Sequence, residues 1–385
     1  MGIIVQKYGG SSVADVEKLE RVAEKVAAAK RGGDDVVVVV SAMGKSTDSL
    51  LALAKQIDPN PPRRELDMLL STGERVSMAL LAMAIQTRGF EAISFTGSQS
   101  GIITNDRHFD ARIIEVKPHR IEDELARGKI VIVAGYQGMS YRREITTLGR
   151  GGSDTTAIAL AAALNATRAE IYSDVDGVYS ADPRVVPDAE HIATLGYDTM
   201  QEMADVGAKV LNAAAVEFAK AQGIAIHARS TFAPGRESIV TATGANERSV
   251  VGQKGTCRLH ARSVEAFAFA AHALGAAAVP MRDVEMIGAR GAMTLATSLT
   301  PDWSAIRDLL LARSDIALEE NLASASVVGL DASSLGDVLE VAQQLGVNVV
   351  AMSANALRVS LVVSESHVDD LVRALHARFV SERTL

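Results

Sequence analysis

Strand-like runs alternate with helical stretches through the first two thirds of this 385-residue sequence. Each run is apolar through its middle, which is typical of strands buried on both faces. The stretches between them are rich in alanine and carry apolar residues at helical spacing. The strand-like runs cover residues 3–8, 34–44, 91–97, 129–138, 169–177 and 223–230. This alternation predicts an α/β fold, with a mainly parallel sheet sandwiched by helices.

The composition is that of an ordinary globular protein. The net charge is −8 and the basic residues are scattered, which argues against a nucleic-acid-binding or membrane-binding surface. The single cysteine, Cys257, excludes an internal disulfide, as expected in a reducing cytosol. We see no apolar run of roughly 18 residues and no signal peptide. We therefore expect a cytoplasmic protein with neither membrane nor nucleic-acid partners.

The character of the sequence changes after about residue 230. Single cores stop growing at roughly 250 to 300 residues, so this length predicts more than one domain. Residues 323–380 have the pattern strand, helix, strand, strand, helix, and residues 263–314 form a weaker copy, which indicates an internal duplication. The predicted parts are a large domain at 1–245, a linker at 246–262, and two small α+β units at 263–321 and 322–385.

The first strand ends in a lysine that two glycines follow, in the stretch "VQKYGGSSVAD". Gly9 and Gly10 would let the backbone approach a ligand and turn, and the next helix would offer N–H groups to an anion. Lys7 would add a positive charge at the same edge. The plain alternative is a tight turn with a lysine that reaches solvent.

A similar arrangement occurs in "TTLGRGGSDTTA". Arg150 offers the planar fork that suits a carboxylate or phosphate, and Gly151 exposes backbone donors. Ser153 or Asp154 would cap the helix that follows. An ordinary capped loop is the alternative here, but two such arrangements in one chain favour an anion-binding site.

The third distinctive stretch, "YSDVDGVYSADPR", follows another predicted strand. Asp174 and Asp176 lack the later glutamate of a calcium loop, so calcium is not predicted. Tyr179 is suited to face a purine and Arg184 to reach phosphates, although "DVDG" is also a good turn sequence. Neither GxxxxGK[ST] nor GxGxxG occurs, which argues against P-loop and dinucleotide-binding folds.

Together these motifs resemble those of the aspartate kinases, in the amino-acid kinase superfamily. "VQKYGGSSVAD", "LLSTGERVSMALL", "TTLGRGGSDTTA", "YSDVDGVYSADPRVVPDA" and "GAKVL" occur in that family's order and approximate spacing, within residues 3–232. Residues 323–380 resemble the second of the family's paired ACT regulatory domains, and residues 263–314 resemble the first more faintly. The resemblance implies the amino-acid kinase fold followed by two small α+β ACT-like units. It also implies transfer of the γ-phosphoryl group of ATP to the side chain of L-aspartate, at the start of aspartate-family amino-acid biosynthesis.

The resemblance also implies roles for individual residues. Lys7, with the backbone of Gly9 and Gly10, would hold the transferring phosphoryl group, and Asp154 would organise its transfer. The substrate-side positions are Ser41, Thr47, Glu74, Arg150, Gly151 and Ser153. The remaining nucleotide-side positions are Ser173, Asp174, Tyr179, Arg184 and Lys209. Mg²⁺ would arrive with ATP, held mostly by phosphates and water, and no general base is needed because the acceptor carboxylate is already ionised at neutral pH.

The sequence departs from the family at two places. The stretch "NAAAVEFA" at 212–219 replaces a His-Pro or similar polar pair that usually follows "GAKVL". The ACT-like region lacks the Asp-Pro-Gly-like turn and the QN-containing strand of the first unit, and the His-Pro-Gly turn of the second. We therefore expect feedback inhibition by lysine or threonine to be weak or missing. The ACT-like pair would then serve mainly to form a homo-oligomer.

Two alternatives remain open at this stage. The chain could phosphorylate a different acidic amino acid in a specialised pathway, because the sequence does not give the size of the pocket. It could also be a non-catalytic sensor of nucleotide or amino acids. Retention of Lys7, Arg150 and Asp154 argues against the sensor, since a protein without catalysis has no chemical reason to keep them.

Overall fold

The computed structural model describes residues 2–149, 151–233, 235–277, 279–297, 300 and 303–384. They form two compact units. The first comprises the chain up to Val178, together with His191–Ala204 and Lys209–Ala245. The second comprises Tyr179–Glu190, Asp205–Ala208 and the chain from Asn246 onwards.

The first unit contains short strands and helices in alternation. Its strands, with β10 and β11 where the chain passes between the units, are β1 Ile3–Tyr8, β2 Asp35–Val40, β3 Ala92–Phe95, β4 Ile102–Thr104, β5 Ile113–Val116, β6 Ile130–Ala134, β7 Gln137–Ser140, β8 Ile145–Thr147, β9 Arg168–Ser173, β10 Val178–Tyr179, β11 His191–Ile192, β12 Thr194–Gly196, β13 Ile226–Ser230 and β14 Glu237–Thr241. Its helices are α1 Val16–Arg31, α2 Ser46–Ile57, α3 Arg63–Leu70, α4 Thr72–Gln86, α5 His119–Ala126, α6 Gly152–Ala163, α7 Tyr197–Asp205 and α8 Ala213–Gln222.

An eight-stranded sheet forms the centre of this unit, in the order β12-β14-β13-β9-β1-β2-β6-β3. All of its neighbouring strand pairs are parallel except β13 with β14. The five valines of β2 are fully buried, as expected for a strand that is covered on both faces. Each of the six predicted strand-like runs overlaps one strand of this sheet, so the predicted fold class is confirmed.

Local capping explains where several helices begin and end. Asp15 caps α1 by accepting a hydrogen bond from the Lys18 N–H at 2.9 Å, and Asn212 caps α8 by accepting from the Ala215 N–H at 3.2 Å. Gly223 ends α8 with φ of 67°, a conformation that glycine adopts without strain. α1 buries Leu19 and Val22 against the sheet.

Our sequence analysis missed a second, four-stranded sheet in this unit, in the order β5-β4-β7-β8. Its strands have only three or four residues each, too few for a periodic pattern to emerge. It also missed α2 and α3, which precede α4.

The segment Arg63–Gln86, which contains α3 and α4, is long and apolar enough to cross a membrane by length and composition alone. This differs from our expectation that no such run exists. The segment nevertheless carries two acidic side chains, Asp67 and Glu74, that are buried inside the first unit. We interpret it as a pair of core helices, since a buried acid needs protein partners rather than lipid.

The second unit contains a six-stranded antiparallel sheet in the order β16-β17-β15-β18-β20-β19. Its elements are β15 Ser249–Ala261, α9 Val264–Ala276, β16 Met281–Ile287, β17 Arg290–Ala296, α10 Trp303–Leu311, β18 Ile316–Val328, α11 Leu335–Gln344, β19 Val349–Ala354, β20 Arg358–Ser364 and α12 Val368–Phe379. The order strand, helix, strand, strand, helix therefore occurs twice, and the two copies meet at the β15–β18 pair.

The region that we predicted as a linker, 246–262, contains β15. This strand pairs with β17 on one side and β18 on the other, so it is the first strand of the first copy. Its polar, glycine-bearing stretch around Gly255 coincides with an irregularity in the pairing between Gln253 and Thr256. The polar residues at this irregularity made the segment resemble a linker in composition. Val250, Cys257 and Leu259 of the same strand are nevertheless buried.

Candidate active site

Four neighbouring strands of the large sheet, β9, β1, β2 and β6, end at the same edge. Ligands bind at this edge in parallel α/β sheets. Lys7 lies one residue before the end of β1, Ser173 ends β9, and Ser41 follows β2. Gly135 follows β6. The fold thus brings together residues that are far apart in the sequence.

Lys7 and Asp154 form an ion pair at this edge. The Lys7 Nζ lies 2.6 Å from Asp154 Oδ1, and the two side chains are only 12% and 10% exposed. Asp154 lies in the first turn of α6, which contacts β1. The pair therefore fixes a cation and an anion at the junction of a strand and a helix N-terminus.

The two glycines after β1 differ in the space around them, and only Gly10 leaves no room for a side chain. A Cβ atom on Gly10 would lie 2.9 Å from the Ala42 carbonyl oxygen, and one on Gly9 would lie 3.4 Å from Lys7 Nζ. The Gly9 N–H donates to the Tyr172 carbonyl oxygen at 3.2 Å. This N–H is therefore engaged within the protein, and Gly9 contributes mainly by leaving space beside the Lys7 ammonium.

The second glycine pair begins α6. Gly151 has φ of 73° and lies against Asn212. A side chain would not fit there, since a Cβ atom on Gly151 would lie 2.3 Å from the Asn212 side-chain nitrogen. Ser153 is buried and lies against Gly135, whose Cβ position would be 2.8 Å from Ser153 Oγ. Arg150, which we predicted to bind a carboxylate, lies outside the described residues.

Glu74 lies in the first turn of α4 and is only 2% exposed. Its Oε1 accepts a hydrogen bond from the Ala42 N–H at 3.0 Å. Burial raises the pKa of Glu74 to about 7, against the lowering effect of backbone hydrogen bonds. Within the described parts of the chain, Oε2 has no hydrogen-bond partner. A buried carboxylate oxygen without a partner is costly, which points to a ligand that supplies one.

Ser41 and Thr47, which we also predicted for the substrate side, lie in the chain that follows β2. The Ser41 N–H donates to the Tyr8 carbonyl oxygen at 3.1 Å, so the loop after β2 is tied to the end of β1. Gly73 packs closely on this loop, since a Cβ atom there would lie 2.7 Å from the Ala42 Cβ. Thr47 lies in the first turn of α2 and is half-buried.

Sequence analysis missed Asp67, which is fully buried on α3. Its carboxylate accepts from the Thr147 hydroxyl at 2.5 Å and from the Phe109 N–H at 3.0 Å, and it lies 2.6 Å from His108 Nδ1. Burial raises the pKa of Asp67, and the bonds from Thr147 and His108 oppose this rise. Asp67 thus joins α3 to the segment 108–109 and to the end of β8. An acid within the apolar run "ELDMLL" was the available signal.

The residues that we predicted for the nucleotide side are held differently. Asp174 and Lys209 are exposed, in loops of the first unit, and Ser173 is half-buried with its hydroxyl 3.3 Å from the Val175 N–H. Tyr179 and Arg184 belong to the second unit. The Arg184 guanidinium donates to Asp182 at 2.9 and 2.6 Å.

No group of three or more His, Cys, Asp or Glu side chains in the described residues could hold a metal ion. The only acidic side chain that we predicted to be catalytic, Asp154, is paired with Lys7. The donor set therefore suits a divalent cation that brings ligands of its own, such as phosphates and water, rather than an all-protein metal site.

The first unit is similar to a known family. Residues 2–230 match the profile of the amino acid kinase family. An aspartokinase of Mycolicibacterium smegmatis is 42% identical, and the alignment covers 98% of this chain and 96% of that protein. An aspartokinase of Corynebacterium glutamicum is 40% identical with the same coverage.

Solved structures give a similar result for the fold. The structure of E. coli aspartokinase III in complex with aspartate and ADP aligns with a TM-score of 0.84 and 25% identity, covering 98% of this chain and 99% of that chain. The complex of the same enzyme with lysine and aspartate aligns with a TM-score of 0.75 and 26% identity, over the same shares. These matches extend over both units.

Proposed function

The chain belongs to the amino acid kinase family and, within it, to the aspartokinases, and on this basis we propose how its residues carry out the reaction. Aspartokinases transfer a phosphoryl group to a carboxyl group, with ATP as donor and aspartate as acceptor. The acceptor carboxylate is ionised at neutral pH. The protein must therefore hold two anions in line and offset their repulsion, and it needs no general base.

The observation that carries this proposal is the ion pair between Lys7 and Asp154, which joins β1 to the start of α6 at 2.6 Å. In our proposal the Lys7 ammonium binds the transferring phosphoryl group, where negative charge must be stabilised. Asp154 keeps the ammonium in place beforehand, so little reorganisation accompanies the reaction. Gly9 leaves the space beside this ammonium free, since a Cβ atom there would lie 3.4 Å from Lys7 Nζ, and Gly10 lets the chain pass close to the Ala42 carbonyl oxygen.

The substrate side is proposed to consist of Ser41, Thr47, Glu74, Arg150, Gly151 and Ser153. Glu74 has the strongest support, because its buried Oε2 has no partner within the described part of the structure. The ammonium group of aspartate would supply both the charge and the hydrogen bond that this carboxylate needs. Arg150 is proposed, from the motif alone, to pair with a substrate carboxylate.

The nucleotide side is proposed to consist of Ser173, Asp174, Tyr179, Arg184 and Lys209. Mg²⁺ is proposed to bind together with ATP and to offset the charge of the phosphates. Chelation with EDTA should abolish turnover, and added Mg²⁺ should restore it. Full turnover in EDTA would contradict the role of the metal.

Hydroxylamine trapping tests the reaction itself. Hydroxylamine displaces phosphate from an acyl phosphate to give a hydroxamate, which forms a coloured complex with ferric iron, whereas phosphate esters give no hydroxamate. We expect a signal with Mg-ATP and L-aspartate, and much less with L-glutamate. A signal with glutamate alone would indicate that the enzyme acts on a different acidic amino acid. No signal with either amino acid would indicate a protein that binds these ligands without catalysis.

We also propose that the second unit does not mediate strong feedback inhibition. The support is the sequence of this unit, which lacks the family's effector-binding turns and its QN-containing strand. Millimolar lysine and threonine, alone and together, should lower turnover by less than about twofold. Strong inhibition by either amino acid at that concentration would overturn this proposal.

A homo-oligomer formed through the second unit completes the proposal. β16 lies at one edge of its sheet, and Val284, Met286 and Ile287 on this strand are exposed. Exposed apolar residues on an edge strand favour pairing with another chain. Light scattering after size exclusion should give at least twice the 40.6 kDa of one chain, and a monomer at micromolar concentration would contradict the proposal.

A further inference from the structure

The segment Tyr179–Glu190 leaves the first unit and becomes part of the second. Ala181 and Val186 on this segment are buried in a hydrophobic cluster whose other members include Leu371 and Phe379 of α12. Val185 and Ala189 pack against the same cluster. The conformation of the segment therefore depends on the core of the second unit.

A buried hydrogen bond fixes the start of this segment. The Ser180 hydroxyl lies 2.8 Å from Nε2 of His376 on α12, and both residues are only 2% exposed. The same hydroxyl accepts from the Glu190 N–H at 2.8 Å. The Ser180 carbonyl oxygen accepts from the Val250 N–H at 2.7 Å. Ser180 is thus held by α12, by β15 and by the far end of its own loop.

A second contact holds the middle of the segment. The Arg373 guanidinium, one turn before His376 on α12, donates to the Val185 carbonyl oxygen at 3.4 Å. Between these two anchors lie Asp182 and Arg184, which are hydrogen-bonded to each other. α12 therefore anchors the segment at residues on both sides of Arg184.

We infer that His376 is a positioning residue for nucleotide binding: through Ser180 it holds the segment that presents Tyr179 and Arg184. This inference rests on the proposed function, which assigns those two residues to the nucleotide side. Nucleotide affinity would then depend on the packing of α12, and by linkage bound nucleotide would stabilise that packing.

Steady-state kinetics of the full-length enzyme test this inference. Ser180→Ala removes the hydroxyl and should raise the KM for ATP by about two- to tenfold, the range of one buried hydrogen bond. The KM for aspartate and kcat should change by less than about twofold. Ser180→Thr keeps the hydroxyl and should restore the KM for ATP.

Ser326→Ala is the matched control. The Ser326 hydroxyl lies 2.7 Å from the Ser360 hydroxyl, fully buried in the same unit, on strands β18 and β20. This variant should lower the Tm while leaving the KM for ATP unchanged. If Ser326→Ala raises the KM for ATP as much as Ser180→Ala, or if neither variant raises it, the inference is overturned.

A double-mutant cycle tests whether His376 acts through Ser180. His376→Gln should raise the KM for ATP, and the double variant with Ser180→Ala should be no worse than the more affected single variant. Independent, multiplying effects would overturn the inference. If His376→Gln does not fold, the KM for ATP of Ser180→Ala, compared with that of Ser180→Thr, still tests the inference.

Arg184→Ala separates this inference from the proposed function. A rise in the KM for ATP in this variant supports the assignment of Arg184 to the nucleotide side. If Arg184→Ala raises that KM and Ser180→Ala does not, only the positioning role of His376 fails. If Arg184→Ala leaves it unchanged, the assignment of Arg184 itself fails.

Discussion

Within the first unit, the residues proposed for the phosphoryl side and those proposed for the nucleotide side are held in opposite ways. Lys7 and Asp154 are nearly buried and paired with each other, on a central strand and the helix that contacts it. Asp174 and Lys209 are exposed on loops. This difference is the one expected if groups that stabilise the reacting charge are fixed in advance, whereas groups that bind an exchanging nucleotide remain accessible.

The largest effect should come from the buried side. Lys7→Ala removes the cation next to the transferring group and should lower kcat by about 10³-fold, the usual cost of losing one fixed electrostatic contact. Hydroxamate formation gives the rate, and thermal unfolding shows whether the fold survives.

Lys30→Ala is the matched control for this prediction. Lys30 also forms an ion pair in the first unit, with its Nζ 2.7 Å from Asp35 Oδ1, and its side chain is 17% exposed. It should keep near-normal turnover. If Lys7→Ala kept more than a tenth of the wild-type kcat, the phosphoryl side would not differ from the nucleotide side in the way proposed.

The second largest effect concerns Glu74. Glu74→Gln keeps the acceptor for the Ala42 N–H but loses the negative charge, so kcat/KM for aspartate should fall about 100-fold, the upper range for a charge-assisted hydrogen bond. The KM for ATP should not change.

Glu124→Gln serves as control, because Glu124 is also buried and is paired with Lys129 at 2.7 Å. Equal losses in both variants would contradict a substrate role for Glu74.

The third prediction concerns stability. Glu74→Gln should lower activity, but it should stabilise the fold. The pKa of Glu74 is raised to about 7 in the folded enzyme, above its unfolded value of roughly 4.3. The folded state then binds more protons than the unfolded state between these values, so Glu74 lowers stability as the pH rises. Without ligands, Glu74→Gln should be more stable than wild type at pH 8, by roughly 3 to 4 kcal/mol for a shift of this size, and this gain should vanish near pH 4. A gain that does not depend on pH would contradict burial as its cause.

The sequence allowed the scaffold of this site to be predicted better than its surroundings. Long β-branched runs such as Val36–Val40 identify central strands, and the glycine, lysine and serine motifs fall at their carboxyl ends. The position of Asp67 depends on Thr147, His108 and Phe109 meeting in space, which no local pattern encodes. β15 was missed for a different reason, since an irregular pairing near Gly255 leaves polar residues in the middle of a buried strand.

The smallest effect should come from the exposed side. Lys209 is solvent-exposed, so water and salt screen its charge and Lys209→Ala should raise the KM for ATP only about two- to fivefold, less at high salt. Lys220→Ala, which breaks an exposed ion pair with Asp198, should leave this KM unchanged. If Lys209→Ala lowered kcat/KM for ATP as strongly as Lys7→Ala, Lys209 would have to become buried when nucleotide binds. The two sides would then differ only before binding, and both would be desolvated during the reaction.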